Sequence, residues 1–109
     1  MAYDERLAQR VREELAERPG YAEKKMFGGL CFLLRGNMCC GVGQDGLMVR
    51  VGPEQYESAL ADDHAREMDF TGRSMKGFVF VDPAGHKTAQ GLKTWIDRGA
   101  KFALSLPAK

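Results

Sequence analysis

Cys31, Cys39, Cys40, His64, His86 and the run Gly72-Arg73-Ser74-Met75-Lys76-Gly77 are the residues of this chain whose types and spacing invite a chemical reading. Zinc sites draw on close cysteine pairs such as C-x-x-C, and no such pair occurs. The odd cysteine count does not suggest a secreted disulfide framework. On neighbouring strands Cys31 and Cys40 would be diagonal partners about 7–8 Å apart, long for a bridge. The adjacent Cys39 and Cys40 are expected on opposite sides of their strand. All three read as free thiols acting as small core hydrophobes. Neither histidine stands in a motif that pairs it with a nucleophile or a carboxylate. His64 follows Asp62-Asp63 at a helix end, and His86 follows a Pro-Ala-Gly turn. An enzyme would need the fold to unite a pair such as Cys39 and His64 within hydrogen-bond reach. The expectation is a non-enzymatic protein with no catalytic residue, no metal and no cofactor.

The glycine-bounded run is the best candidate for a small anion. Arg73 and Lys76 supply charge, Ser74 a hydroxyl, and the flanking glycines leave backbone N–H groups free to wrap a phosphate or carboxylate. It lacks the G-x-x-x-x-G-K-[ST] form of a P-loop. Phe27-Gly28-Gly29 reads as a bulge or bend rather than a cofactor loop. Toward the end of the chain Lys87, Lys93, Arg98, Lys101 and Lys109 outnumber the single acid Asp97, a mild bias that suits a solvated face.

The elements that must position these residues are short. The chain has 109 residues, 44% hydrophobic and 28% charged, which is one domain's worth of ordinary globular composition, taken as residues 1–109. A net charge of +1 gives no general field for nucleic acid or an anionic membrane, so direct nucleic-acid binding is not expected. There is no secretory h-region and no run approaching the ~20 apolar residues of a membrane span, so the expected location is the cytoplasm. Tyr3, Leu7, Val11 and Leu15 recur every four positions and predict an amphipathic helix stopped at Pro19-Gly20. Strands are predicted over 24–27, 30–35, 38–43 and 47–51, with tight hairpin turns at Gly36-Asn37 and Asp45-Gly46. Gly52-Pro53 opens a short helix burying Tyr56, Ala59 and Leu60. Strands over 67–70 and 77–81 flank the glycine-bounded loop, and a turn follows at 82–85. Thr88 caps a last helix with the stripe Leu92, Trp95, Ile96, Gly99, Phe102, Ala103 and Leu106. The order α-β(4)-α-β(2)-α describes a two-layer α+β domain, an antiparallel sheet with helices on one face.

Pairing across the two hairpins assigns sides. With those turns, Cys31, Leu33, Cys40, Val42, Val49 and Val51 share the helix-covered face. Phe32, Leu34, Cys39, Gly41, Met48 and Arg50 share the other, which is too apolar to be left in water. Phe32, Leu34, Cys39, Met48 and Arg50 are therefore candidates for an interface with a protein partner or a second copy. The alternative is that Tyr21 and its neighbours cover them. A charged residue at Phe32 is expected to split a dimer if the residue is on that surface, and to unfold the chain if it belongs to the core.

Several segments in order carry a resemblance. Lys25-Met26-Phe27-Gly28-Gly29-Leu30, Gly36-Asn37-Met38-Cys39-Cys40-Gly41, Leu47-Met48-Val49-Arg50-Val51-Gly52, Met68-Asp69-Phe70-Thr71-Gly72-Arg73, and Met75-Lys76-Gly77 with Phe78-Val79-Phe80-Val81 resemble the N-terminal domain of the bacterial TfoX/Sxy proteins, over Leu7 to Phe102. The resemblance implies an α/β fold similar to type III secretion chaperones. It also implies a regulatory role, since named members promote transcription of DNA-uptake genes alongside the cyclic-AMP receptor protein. Those regulators carry a second, C-terminal domain, whereas this sequence stops after its final helix, and the family supplies no catalytic residues to carry over. A regulatory or protein-interaction module, acting on a partner or on itself, is the leading expectation. A sensor of small anions using Arg73, Ser74 and Lys76, with Arg50 assisting, is the second.

Overall fold

The computed structural model describes residues 3–26, 29–43, 46–70 and 73–108, with the backbone alone at 26, 68–70 and 73–76. Helix α1 (Glu5–Leu15) leads into four strands, β1 (Tyr21–Met26), β2 (Gly29–Leu34), β3 (Asn37–Gly43) and β4 (Gly46–Arg50). A 3-10 turn (Pro53–Gln55) runs into α2 (Tyr56–Leu60), and β5 (Ala65–Phe70) and β6 (Arg73–Val81) follow. Helices α3 (Pro83–His86) and α4 (Ala89–Ser105) come last. The strands form one antiparallel sheet in the order β1-β2-β3-β4-β6-β5, so the expected α+β architecture is the one observed. Helix α3 replaces the turn expected at 82–85.

Local chemistry accounts for the helices. Asp4 caps α1, its Oδ1 accepting from the backbone N–H groups of Arg6 at 2.9 Å and Leu7 at 3.1 Å. Leu7, Ala8, Val11 and Leu15 form the buried stripe of α1. Thr88 caps α4 by accepting from Gly91 N–H at 2.9 Å, and Leu92, Trp95, Ile96, Gly99, Ala100 and Ala103 face inward.

Both hairpin turns fall one residue before the expected positions, which moves the pairing by two residues and by itself leaves each side chain on its face. Leu34 pairs with Asn37, so the first turn is Arg35-Gly36. Both central residues have positive φ, 53° and 83°, as a type I′ turn demands. Asn37 is thereby released to be a strand residue; it is buried, and its Nδ2 donates to the Pro107 carbonyl at 2.9 Å. Gly43 pairs with Gly46 in the second hairpin, again one residue earlier than expected. A bulge between Phe32 and Leu33 accommodates Cys39 as an extra residue on β3.

Directly opposed residues share a face. The inner face carries the rows Glu23, Phe32, Cys40, Val49, Val79 and Glu67, and Lys25, Leu30, Val42, Leu47, Val81 and Ala65. Helix α4 lies across β2, β3 and β4, α2 covers β5 and β6, and α1 packs on α4. Phe32, Leu34, Leu47, Val49, Val79 and Ile96 are fully buried in a single cluster. Tyr21 stacks on Phe32 from this inner side, so it does not shield the opposite face as the alternative reading required.

Ion pairs tie the layers at their margins. Arg12 of α1 grips Glu23 of β1 through Nε at 2.7 Å and Nη2 at 2.8 Å, and Tyr21 donates to the same carboxylate at 2.5 Å. That guanidinium holds the Glu23 carboxyl below its usual range. Burial, then the neighbouring Glu23, pushes the Tyr21 phenol upward. Arg18, just past α1, pairs with Asp97 of α4, which also accepts from Lys93 at 3.0 Å.

Candidate interaction face

The thiols are buried. Cys31 is 3% exposed, and Cys39 and Cys40 are wholly buried. Because Cys39 is the bulge residue, it does not point away from Cys40 as plain alternation would require. Its Sγ lies 4.0 Å from the Ile96 carbonyl beneath α4, and Cys40 is paired with Val49 on the same inner face. Burial raises the pKa of Cys31, and burial followed by the neighbouring Cys39 raises that of Cys40, so both stay protonated thiols of low nucleophilicity. Cys39 sits under the middle of α4, whereas His64 is exposed and packs its Cβ beside Gly85. His86 is buried and its Nδ1 has no hydrogen-bond partner. Arg10 of α1 donates to the carbonyl of His86 at 2.7 Å and, more weakly, to those of Lys87 and Thr88 at 3.4 Å. Among the described residues no cluster of three His, Cys, Asp or Glu side chains is placed to hold a metal ion.

From Arg73 onward the glycine-bounded run is strand rather than loop. Phe70 pairs with Arg73, so Arg73 to Gly77 extend β6 and close a tight hairpin with β5. Thr71 and Gly72, and the side chains of Arg73, Ser74 and Lys76, lie outside the described residues. Phe27 and Gly28 lie outside them as well. Of the basic residues late in the chain, Lys93 is paired with Asp97, and Arg98 lies with its guanidinium carbon 4.8 Å from the Trp95 ring centroid.

The candidate partner face divides. Phe32, Leu34 and Cys39 are core residues under the helices, all with 0% exposure. The bulge carried them inward: it exchanges the faces of β2 relative to β4, and Cys39 is its extra residue. Met48 and Arg50 are on the outer face, as expected. The same bulge brought Cys31 and Leu33 outward to join them, with Met38, Phe78 and Phe80. Leu33, Met38, Met48, Phe78 and Phe80 are all partly exposed.

One cross-strand row on this face crosses the entire sheet. It reads Lys24, Cys31, Gly41, Met48, Phe80 and Arg66, from β1 at one edge to β5 at the other. Gly41 leaves a notch in its middle. A Cβ there would stand 2.9 Å from Met48 Cε and 3.5 Å from Met38 Cε, so both methionine tips lie over the bare backbone. The Arg66 guanidinium is 5.0 Å from the Phe80 ring centroid. Arg50 lies 5.6 Å from Phe78 and 5.1 Å from Phe102 of α4. No carboxylate occurs among the described side chains of the strands on this face. Asp82, just past β6, accepts from Arg66 at 3.1 Å.

This order of elements frames a comparison at the level of sequence. The family model described as TfoX N-terminal domain matches residues 13–103. The chain belongs to that family. No curated protein and no solved structure matches it. The matched span takes in every strand of the sheet and nearly all of α4, so the open face is part of this TfoX N-terminal domain rather than an appendage to it.

Sequence reasoning missed Leu33, Met38, Phe78, Phe80 and Arg66 as members of the outer face. The signal for two of them was present. Phe78 and Phe80 alternate with Val79 and Val81, which divides the large aromatic residues from the branched ones along one strand. Leu33 and Met38 gave no such signal, because a bulge cannot be read from alternation alone.

Proposed function

We propose that this TfoX N-terminal domain is a non-catalytic protein-interaction module of the regulatory kind, and that the outer face of its sheet is the contact surface. One observation carries the reading: every helix packs on the same side, leaving Leu33, Met38, Met48, Phe78 and Phe80 partly exposed together. Exposed apolar area gathered on one face is a mark of association rather than of an ordinary solvated surface. The buried, protonated thiols support a non-catalytic role. Family membership supports a regulatory setting, in which this surface would join the domain to a component of a transcriptional response.

The test is a cross-linked pull-down of the tagged protein from its native cells after nuclease treatment, with wild type beside Met48→Glu. The expected outcome is a stoichiometric partner recovered with wild type and lost with the variant. Equal recovery with both would show that the partner uses another surface.

A further inference from the structure

We infer that the partner of this face is an amphipathic helix, apolar on the side that meets the sheet and acidic along its flanks. This rests on the reading of the outer face as an interaction surface, and it adds the partner's shape and charge.

The shape follows from main-chain chemistry. A segment seated on the flat of a sheet cannot reach the strands' N–H and C=O groups, which are spent on neighbouring strands. An extended segment would leave its own backbone groups unpaired against Leu33, Met38, Met48 and Phe80, whereas a helix satisfies them internally. The room suits one helix. Lys24 and Arg66 stand on strands five spacings apart, about 24 Å, and a helix with its side chains is about 10–12 Å across. One helix fits between these cations with room on both sides for long flanking side chains, whereas two side by side would take about 20–24 Å and leave none. The floor is adaptable, because Met38 and Met48 fold over Gly41 and their unbranched chains take many conformations.

The charge follows from the rim. Lys24 and Arg66 close the two ends of the cross-strand row, and Arg50 stands at the end of β4 beside Phe78; Asp82 pairs with Arg66 at 3.1 Å, and the rim remains net cationic. Lys24 and Arg66 are exposed. A second copy docked face to face would set this cationic rim against itself, since a two-fold interface presents the same patch twice. A helix with Asp and Glu on its flanks meets the rim with the opposite sign.

The experiment uses the full chain and two designed peptides of about 18 residues. They share Leu at i, i+3, i+4 and i+7; one carries Glu at the flanking positions and the other Lys. Binding is measured by fluorescence anisotropy at low and moderate salt. The Glu peptide is expected to bind at least about tenfold tighter than the Lys peptide, with a preference that shrinks as salt rises. Lys24→Glu/Arg66→Glu, on exposed edge-strand residues, is expected to reverse that preference, and Met48→Glu to weaken both peptides. Thermal melts establish that each variant is folded. Equal binding of both peptides, lost with Met48→Glu, would overturn the acidic partner and leave the interaction face standing. Binding of neither peptide would overturn the acidic helix, and the native pull-down would then decide the face separately. Dimerisation relieved by Met48→Glu would give the face to a second copy. Tighter binding of a thymidine oligonucleotide, lost with Phe78→Ala, would give it to single-stranded nucleic acid.

Discussion

At the scale of single residues, two positions control the helix layer. Gly99 is where α4 touches the sheet: a Cβ there would stand 2.5 Å from the Cys39 carbonyl and 3.1 Å from Val49 Cγ1. The carbonyl belongs to backbone and cannot swing aside, so α4 would have to lift. Gly99→Ala is expected to cost about 1–3 kcal/mol, a fall in Tm of at least about 5 °C by calorimetry. His86 is the second position. Burial, helped by the charge of Arg10, lowers its pKa below the ordinary 6.5. As pH falls through 6.5 the unfolded chain takes the proton before the folded one does, so stability declines toward the lower folded pKa. Glu23, held low by Arg12, and Asp97, held low by Arg18 and Lys93 against the effect of burial, act in another window. Their contributions persist above 4.5 and 3.8 and are lost only on further acidification. Urea melts should therefore show a decline as pH falls below 6.5 that His86→Leu removes. A decline of the same slope in that variant would assign it to another group.

At the scale of elements, the turns decide more than the strands. Alternation and glycine placement showed where each strand of the meander runs, but the turn positions were displaced by one residue. The reason lies in a contact distant in sequence. Asn37 looks like a turn residue, yet its buried side chain donates to the carbonyl of Pro107, beyond the last helix. The turn must then use Arg35, which sits in the left-handed region at φ 53°. A non-glycine residue there is strained by about 1 kcal/mol, and Asn tolerates the region better. Arg35→Asn is expected to raise Tm by a few degrees; an unchanged or lower Tm would mean that the packing of Arg35 against Gly20 outweighs the backbone term. Helix α1, the capped start of α4 and the Phe-Val alternation of β6 were legible, because local spacing determines them. The identity of the outer-face residues was not, because moving a turn by one residue keeps the faces, whereas the bulge at Cys39 exchanges the faces of β2 relative to β4 and leaves no mark in the alternation.

At the scale of the whole molecule, the sheet has one covered side and one open side. Two charged substitutions are expected to separate them. Phe32→Asp should abolish the cooperative melt, since the ring is fully buried beneath the helices. Met48→Glu should shift stability by no more than about 0.5 kcal/mol while altering association. A folded Phe32→Asp protein would contradict the inner placement of β2. Unfolding by Met48→Glu would show that the outer face is needed within one chain. The molecule is nearly isotropic, 31 × 29 × 29 Å, so loss of a partner should be plain from its tumbling rate.

The helix that closes the inner face follows every strand in the chain. During synthesis the meander β1 to β4 must therefore leave the ribosome with both faces bare, and it stays so until α4 arrives. For that interval the nascent sheet is at risk from any apolar surface nearby, and its first hairpin waits for Pro107 before Asn37 finds a partner. A protein bound to the outer face early would shorten the list of wrong neighbours, giving the open surface a use before folding is complete as well as after it.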